Sequence, residues 1–151
     1  MKILCVSDQI DPLVYNQNAK QTFSDVDIIL CAGDLPMNYV DFIVTVFNKP
    51  VFFVFGNHDL KEYKYYTGHG RKGYVSSDTN HSHGGIHLGF NFYSNKYLTY
   101  KDKDGKDTPL LIAGAGGSLK YNNGKNQYTE FQMKLHLLKM VPRLLYNKRR
   151  L

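Results

Sequence analysis

The chain is predicted to be an α/β protein built on a parallel sheet, and two observations carry that prediction. Apolar runs at residues 3–6, 28–32 and 51–55 are rich in β-branched and aromatic residues, as strands buried on both faces are. Segments of helical length separate them, and strand, helix, strand, helix, strand is the grammar of doubly wound proteins. A third observation concerns function. Each run ends in a small residue followed by an oxygen-bearing side chain: Ser7-Asp8, Gly33-Asp34 and Gly56-Asn57-His58-Asp59. Parallel strands deliver their carboxyl ends to one edge, so Asp8, Asp34 and Asn57/His58 are expected to converge there. Converging carboxylate, amide and imidazole groups point to a hard or borderline metal site.

The first crossover, residues 11–25, is polar, with Leu13, Val14, Tyr15, Ala19 and Phe23 as the residues its helix could bury. The second is opened by Pro36 and carries Tyr39, Val40, Ile43, Val44 and Phe47 at helical spacing; Asn48-Lys49-Pro50 ends it. Residues 60–85 are rich in Tyr and Gly and hold a Ser-Ser-Asp-Thr-Asn run, the composition of a long functional loop. Residues 86–100 read as one or two strands. A turn over residues 101–107 comes next, whose Asp104-Gly105 pair suits a hairpin. The strand at residues 110–113 runs into Gly114-Ala115-Gly116-Gly117-Ser118, read as a tight turn beside the site. In the last element Thr129 and Gln132 form a capping box, with Phe131, Leu135, Leu138 and Leu145 as the expected buried stripe. Pro142 is expected to kink or restart this helix near Val141.

At 151 residues the chain is long enough for one domain with a real core and too short for two of typical size. A composition that is 42% hydrophobic excludes disorder of the whole chain. The net charge of +6 permits attraction to phosphates. Much of it comes from Lys134, Lys139, Arg143, Lys148, Arg149 and Arg150 on the final helical pattern, which reads as a solvated face. No aromatic-interleaved basic patch accompanies them, so a nucleic-acid module ranks third among the readings. Cys5 and Cys31 each fall inside a strand and read as buried core thiols, which fits a reducing cytoplasm. The run at residues 3–6 is too short for a secretory segment, and no stretch approaches a membrane span, so no membrane partner is expected.

The acids at the first two strand ends and the Gly-Asn-His-Asp at the third make chemical sense together. One carboxylate can bridge two cations about 3.5 Å apart, while a hydroxide held between them attacks phosphorus in line. Their order and spacing resemble the calcineurin-like metallophosphoesterase family. That resemblance implies a four-layer α/β/β/α sandwich, two divalent metal ions (Mn, Fe or Zn) and a phosphomonoester or phosphodiester substrate, nucleotides included. It makes Asp34 the bridging ligand, Asp8 a ligand of one metal and Asn57 of the other. His58 would stabilise the transition state or protonate the leaving group, with Asp59 orienting it.

Two departures from the family pattern matter. Where the family reads Asp-x-His, this chain has Asp8-Gln9-Ile10. It is similar in this to a bacterial subgroup reading Ser-Asp-x-x-Asp-Pro, matched by Ser7 to Pro12, with further matches at Gly33 to Pro36, Gly116 to Ser118 and Gln127 to Glu130. Asp11 is then either a ligand in place of the imidazole or a helix cap. The family also completes its metals with a later His and a Gly-His-x-His, and neither occurs after Ser118; His136 lies mid-helix and reads as packing. The expectation is therefore the N-terminal part of such a domain, a truncated protein or fragment ending on a helix that leads into an absent strand.

Other candidates are weaker. His81-Ser82-His83 could place two rings on one strand face, with His87 a few residues on, but the motif order is wrong for metal; a polar loop near the site mouth, or contact with substrate phosphate, is the alternative. Gly114 to Leu119 lacks the third Gly of a dinucleotide fingerprint and the Lys-Ser/Thr of a P-loop. Residues 102–111 lack the EF-hand Glu. The two competing classes are thus a metallophosphoesterase and a catalytically silent chain that binds metal weakly or needs a partner half.

Overall fold

The computed structural model describes residues 1–67 and 84–148. Strands β1 (Ile3–Val6), β2 (Ile28–Cys31), β3 (Val51–Phe53) and β4 (Ile86–His87) form one parallel sheet in the order β1-β2-β3-β4. Its register decides where the site lies. Val6 pairs with Cys31, Cys31 with Phe53, and Phe53 with His87, so all four strands end on one row. The residues just beyond each strand therefore emerge at the same edge.

Helices α1 (Ala19–Thr22), α2 (Met37–Phe47) and α3 (Tyr63–Thr67) connect these strands. α2 is the predicted second crossover. Pro36 precedes it with φ −67°, and Asn48 ends it in the left-handed region at φ 50°, donating its N–H to Val44 O. Tyr39, Val40, Ile43 and Phe47 are buried against Ile29, Val51 and Phe53 of the sheet, each such side chain contributing about 1.5–3 kcal/mol.

The first crossover differs from expectation: its helix shrinks to Ala19–Thr22. Asp11 Oδ1 accepts the Leu13 N–H (2.8 Å) and Asn16 Oδ1 accepts the Asn18 N–H (2.8 Å). These local bonds offer the backbone an alternative to the helix ladder and hold it in turns. Val14 and Ala19 are buried as expected, but Leu13 is exposed; Tyr15 is exposed at one edge while its ring packs on Tyr39 and Phe42.

The first strand also departs from prediction. β1, at the edge of the described sheet, is covered on one face only: Val6 is buried, whereas Ile3 and Cys5 on the other face are exposed. Of the two expected core thiols only Cys31 is one, its pKa pushed up to about 12 by burial.

Strands β5 (Asn91–Lys101) and β6 (Asp107–Gly114) form the predicted antiparallel hairpin, with a register shift between Ser94 and Thr99. Asp102 Oδ1 accepts the N–H groups of Asp104 and Lys106 and closes its turn. Tyr93, Leu98, Leu110 and Ile112 lie on the sheet face opposite α2, against Ile28, Phe52 and Leu88. β7 (Ser118–Leu119) and β8 (Gln127–Tyr128) pair in parallel and lead into α4 (Glu130–Lys148).

The capping box of α4 forms as read: Thr129 Oγ1 accepts the Gln132 N–H (3.2 Å) and Gln132 Oε1 accepts the Thr129 N–H (2.8 Å). The helix continues through Pro142 without the expected restart. Its packed face is not the predicted one. Phe131, Leu135, Leu138 and Leu145 are exposed, whereas Met140 is buried. His136 stacks on Phe90 (4.5 Å between ring centroids, 26° between planes) and meets Tyr128 edge-on, and the Arg143 guanidinium lies over the Phe92 ring. The flat rings offered by Phe90, Tyr128 and Phe92 select the imidazole and guanidinium face over the aliphatic one. Lys134 and Lys139 are solvated, as read. Among the described residues no helix is long and apolar enough to cross a membrane.

His87 ends β4 inside an aromatic cage of Phe53, Phe55 and Tyr66, 6% exposed, with Nε2 unpartnered among the described residues. Burial lowers its pKa from 6.5 to about 4. A neutral His87 therefore stabilises the fold fully above about pH 6.5, and the contribution is lost as pH falls toward 4, because the unfolded chain takes up the proton first. The expected loss by pH 4.5 is about 2–3 kcal/mol. Urea midpoints at pH 7 and pH 4.5 check this: the drop should be clearly smaller in His87→Leu, and equal drops would reject it.

Candidate metal centre at the sheet edge

The three predicted strand ends meet. The Asp8 N–H donates to Gly33 O (3.2 Å), joining the ends of β1 and β2. Gly33, at φ 104°, lies so close to the third strand end that a Cβ there would stand 3.1 Å from Gly56 N. The Asp34 carboxylate crosses over Gly56, and its Oδ1 accepts the His58 N–H at 2.8 Å. Asp34 and Asn57 are half-buried; Asp8, His58 and Asp59 are exposed, leaving the edge open to solvent.

The backbone at this edge is strained. Asp8, Asp34 and Asp59 stand at φ 63°, 54° and 50°, a region that costs an ordinary L-residue roughly 1–2 kcal/mol and that Asp tolerates better than most. Three such residues at the ends of adjacent strands mark the edge as one maintained for something other than stability.

Asp11 lies in the turn that follows Asp8. Its N–H donates to Tyr39 Oη (3.3 Å) and its Oδ1 accepts the Leu13 N–H (2.8 Å) within a turn, while the N-cap of the helix that follows is Asn18. His81 and His83 lie outside the described residues. His87 sits in the core rather than at the edge. The turn at residues 114–118 is beside the site as read: the Gly117 N–H donates to Phe55 O (2.7 Å).

Sequence reasoning missed two residues here. Asn126, at φ 54°, donates through Nδ2 to Phe55 O (3.2 Å) and Gly56 O (2.6 Å), while its Oδ1 accepts from Tyr63 (3.0 Å) and Tyr128 (2.9 Å). It clamps the segment after β6 to the end of β3. Tyr121 then reaches the site: Asn57 Nδ2 donates to its Oη at 2.6 Å, and His58 Nε2 lies 3.5 Å from the same oxygen. An Asn and a Tyr in a polar stretch carry no periodic signal, although the turn read beside the site at residues 114–118 immediately precedes them.

Asp8, Asp34 and Asn57 offer carboxylate and amide oxygens, a donor set suited to a hard or borderline divalent cation. Gly56 preserves room for the Asp34 carboxylate, a space that any Cβ would fill. Among the described residues no group of three or more His, Cys, Asp or Glu side chains is gathered so as to hold a metal ion, so an Asp8, Asp34 and Asn57 site would have to draw on the Asn57 amide as well.

A family model for calcineurin-like phosphoesterases matches residues 1–142, and the chain belongs to that family. Its members act on phosphate esters and generally use divalent metals. No curated protein and no solved structure matches the chain.

Proposed function

We propose that this chain hydrolyses a phosphomonoester or phosphodiester, nucleotides among them, with two divalent cations held at the shared carboxyl edge of the parallel sheet. The observation that carries the reading is the register that ends β1, β2 and β3 on one row, with Asp34 bonded across to His58. Asp34, just beyond the middle of these strands, would serve both cations, with Asp8 holding one and Asn57 the other when they are bound. Bound cations would lower the pKa of water toward neutrality and neutralise charge on the phosphoryl oxygens. His58, exposed at the mouth, donates a proton to the leaving oxygen or stabilises the charge there, and Asp59 beside it orients the ring. Asp11, whose Oδ1 holds the turn after Asp8, would reach a cation only through its other oxygen. Mn²⁺ is the best match to oxygen-rich donors, ahead of Fe or Zn.

The complete arrangement proposed is a four-layer α/β/β/α sandwich. It is supported by adjacent residues of β5 facing opposite ways, with Tyr93 against Phe52 of the parallel sheet and Phe92 beneath Arg143 of α4.

Metal content after purification and reconstitution with Mn²⁺, measured together with turnover of a chromogenic phosphodiester, tests the reading. Two metals per chain with metal-dependent turnover is the expected result. One metal or none, without turnover, would replace it with a catalytically silent chain.

A further inference from the structure

The segment joining β7 to β8 is built to hold one exposed aromatic residue. Its base is anchored to the segment after β3 by the Gly117 N–H and by the two Asn126 Nδ2 bonds to Phe55 O and Gly56 O. Its interior is tied by Gln127, whose Oε1 accepts the N–H groups of Tyr121 and Asn122 (both 3.3 Å), and by the Lys120 N–H donating to Tyr128 O (2.9 Å). This framework presents Tyr121, whose residue surface is 64% exposed. So exposed a ring gains little from apolar burial. Its contacts with the site are made by the hydroxyl, 2.6 Å from Asn57 Nδ2 and 3.5 Å from His58 Nε2.

The chemistry of Asn57 gives that hydroxyl a task. An amide has a donor end and an acceptor end of nearly equal shape, and only the oxygen can ligate a cation. The phenol fixes which way the amide is turned when its own proton is directed to His58 Nε2, so that its oxygen is left to accept from Nδ2 and Oδ1 is left for the cation. The same oxygen stands beside the His58 ring and limits its swing. We propose that Tyr121 is a positioning residue that sets the amide orientation of Asn57 and holds His58 alongside it. The inference rests on the proposed metal site and adds to it a residue from outside the three strand ends.

Mn²⁺ affinity of the full chain, by calorimetry and by the Mn²⁺ resonance signal, tests it without reference to turnover. Tyr121→Phe keeps the ring and removes the hydroxyl; affinity should fall by about 10- to 100-fold, the usual effect of losing a group that orients a ligand. A second background separates orientation from mere packing. Asn57→Asp replaces the amide with a carboxylate that has no wrong way round, so adding Tyr121→Phe to it should change affinity by less than about threefold. Unchanged affinity in Tyr121→Phe, or an equal loss in both backgrounds, overturns the inference while leaving the metal site standing. Absence of Mn²⁺ binding by the unsubstituted chain overturns the site and the inference together.

Discussion

Asp34→Ala is expected to reduce metal-dependent phosphoester hydrolysis to background. The carboxylate lies in the bend just beyond β2, between the ends of β1 and β3, and its Oδ1 is oriented by the His58 N–H. Removing it deletes the charge proposed to hold both cations and leaves the His58 N–H without its acceptor. Alanine at φ 54° adds backbone strain of roughly 1–2 kcal/mol, which alone could lower activity through stability. Asp34→Asn separates the two effects. Asn tolerates the left-handed backbone and keeps an oxygen for His58, yet lacks the charge. Loss of Mn²⁺ binding and turnover in both variants, with the thermal midpoint of Asp34→Asn near that of the unsubstituted chain, is the expected pattern. Full turnover in either one removes Asp34 from the site. Asn57→Ala is expected to behave like Asp34→Ala for the cation it holds.

The second large effect should come from a residue that touches no substrate. A Cβ at position 56 would lie 2.5 Å from Asp34 Cγ and 3.0 Å from the Asp34 backbone nitrogen. The side chain can swing away, and the backbone can yield by a few tenths of an ångström, so the chain should still fold at a cost of about 1–3 kcal/mol. The carboxylate, however, loses its place and its bond to His58. A displacement of about 1 Å at a reacting centre can cost on the order of 10²-fold in rate, so Gly56→Ala should lower turnover by at least that much while secondary structure persists. Circular dichroism with turnover on the same preparation checks this. Turnover within a factor of a few of the unsubstituted chain would mean that Asp34 acts from some other position.

Both predictions depend on the part of the molecule most legible in its residues. Strand ends at Asp8, Asp34 and Asn57 were readable because a parallel strand carries its own signature, and a shared edge follows from parallel pairing alone. α2, the hairpin turn at Asp104-Gly105 and the Thr129/Gln132 cap were equally readable, since each is determined by contacts within a few residues. The first crossover failed for a related reason: Asp11 and Asn16 satisfy nearby backbone groups locally, and a polar segment without clear periodicity had nothing to outweigh them.

The remaining differences arise from partners distant in sequence. α4 carries apolar residues on more than one face, and Phe90, Phe92 and Tyr128 choose the face with His136, Met140 and Arg143. Cys5 and Cys31 occupy similar strands, yet the register pairs Cys31 with Val6 on the face covered by α2 and Cys5 with Leu30 on the opposite face, which leaves Cys5 exposed at the edge strand. His87, a candidate polar contact when read in line, is a core residue once Phe53, Phe55 and Tyr66 close around it.

By itself, then, the sequence determined the parallel α/β frame, the family resemblance and the three strand ends, because local pattern specifies strands and strands deliver their ends together. Only the tertiary structure decided that Asp34 is held over Gly56, that Asn126 clamps a distant segment onto β3, and that Tyr121 meets Asn57. These are contacts between residues about 20 to 70 positions apart, and no local propensity encodes them.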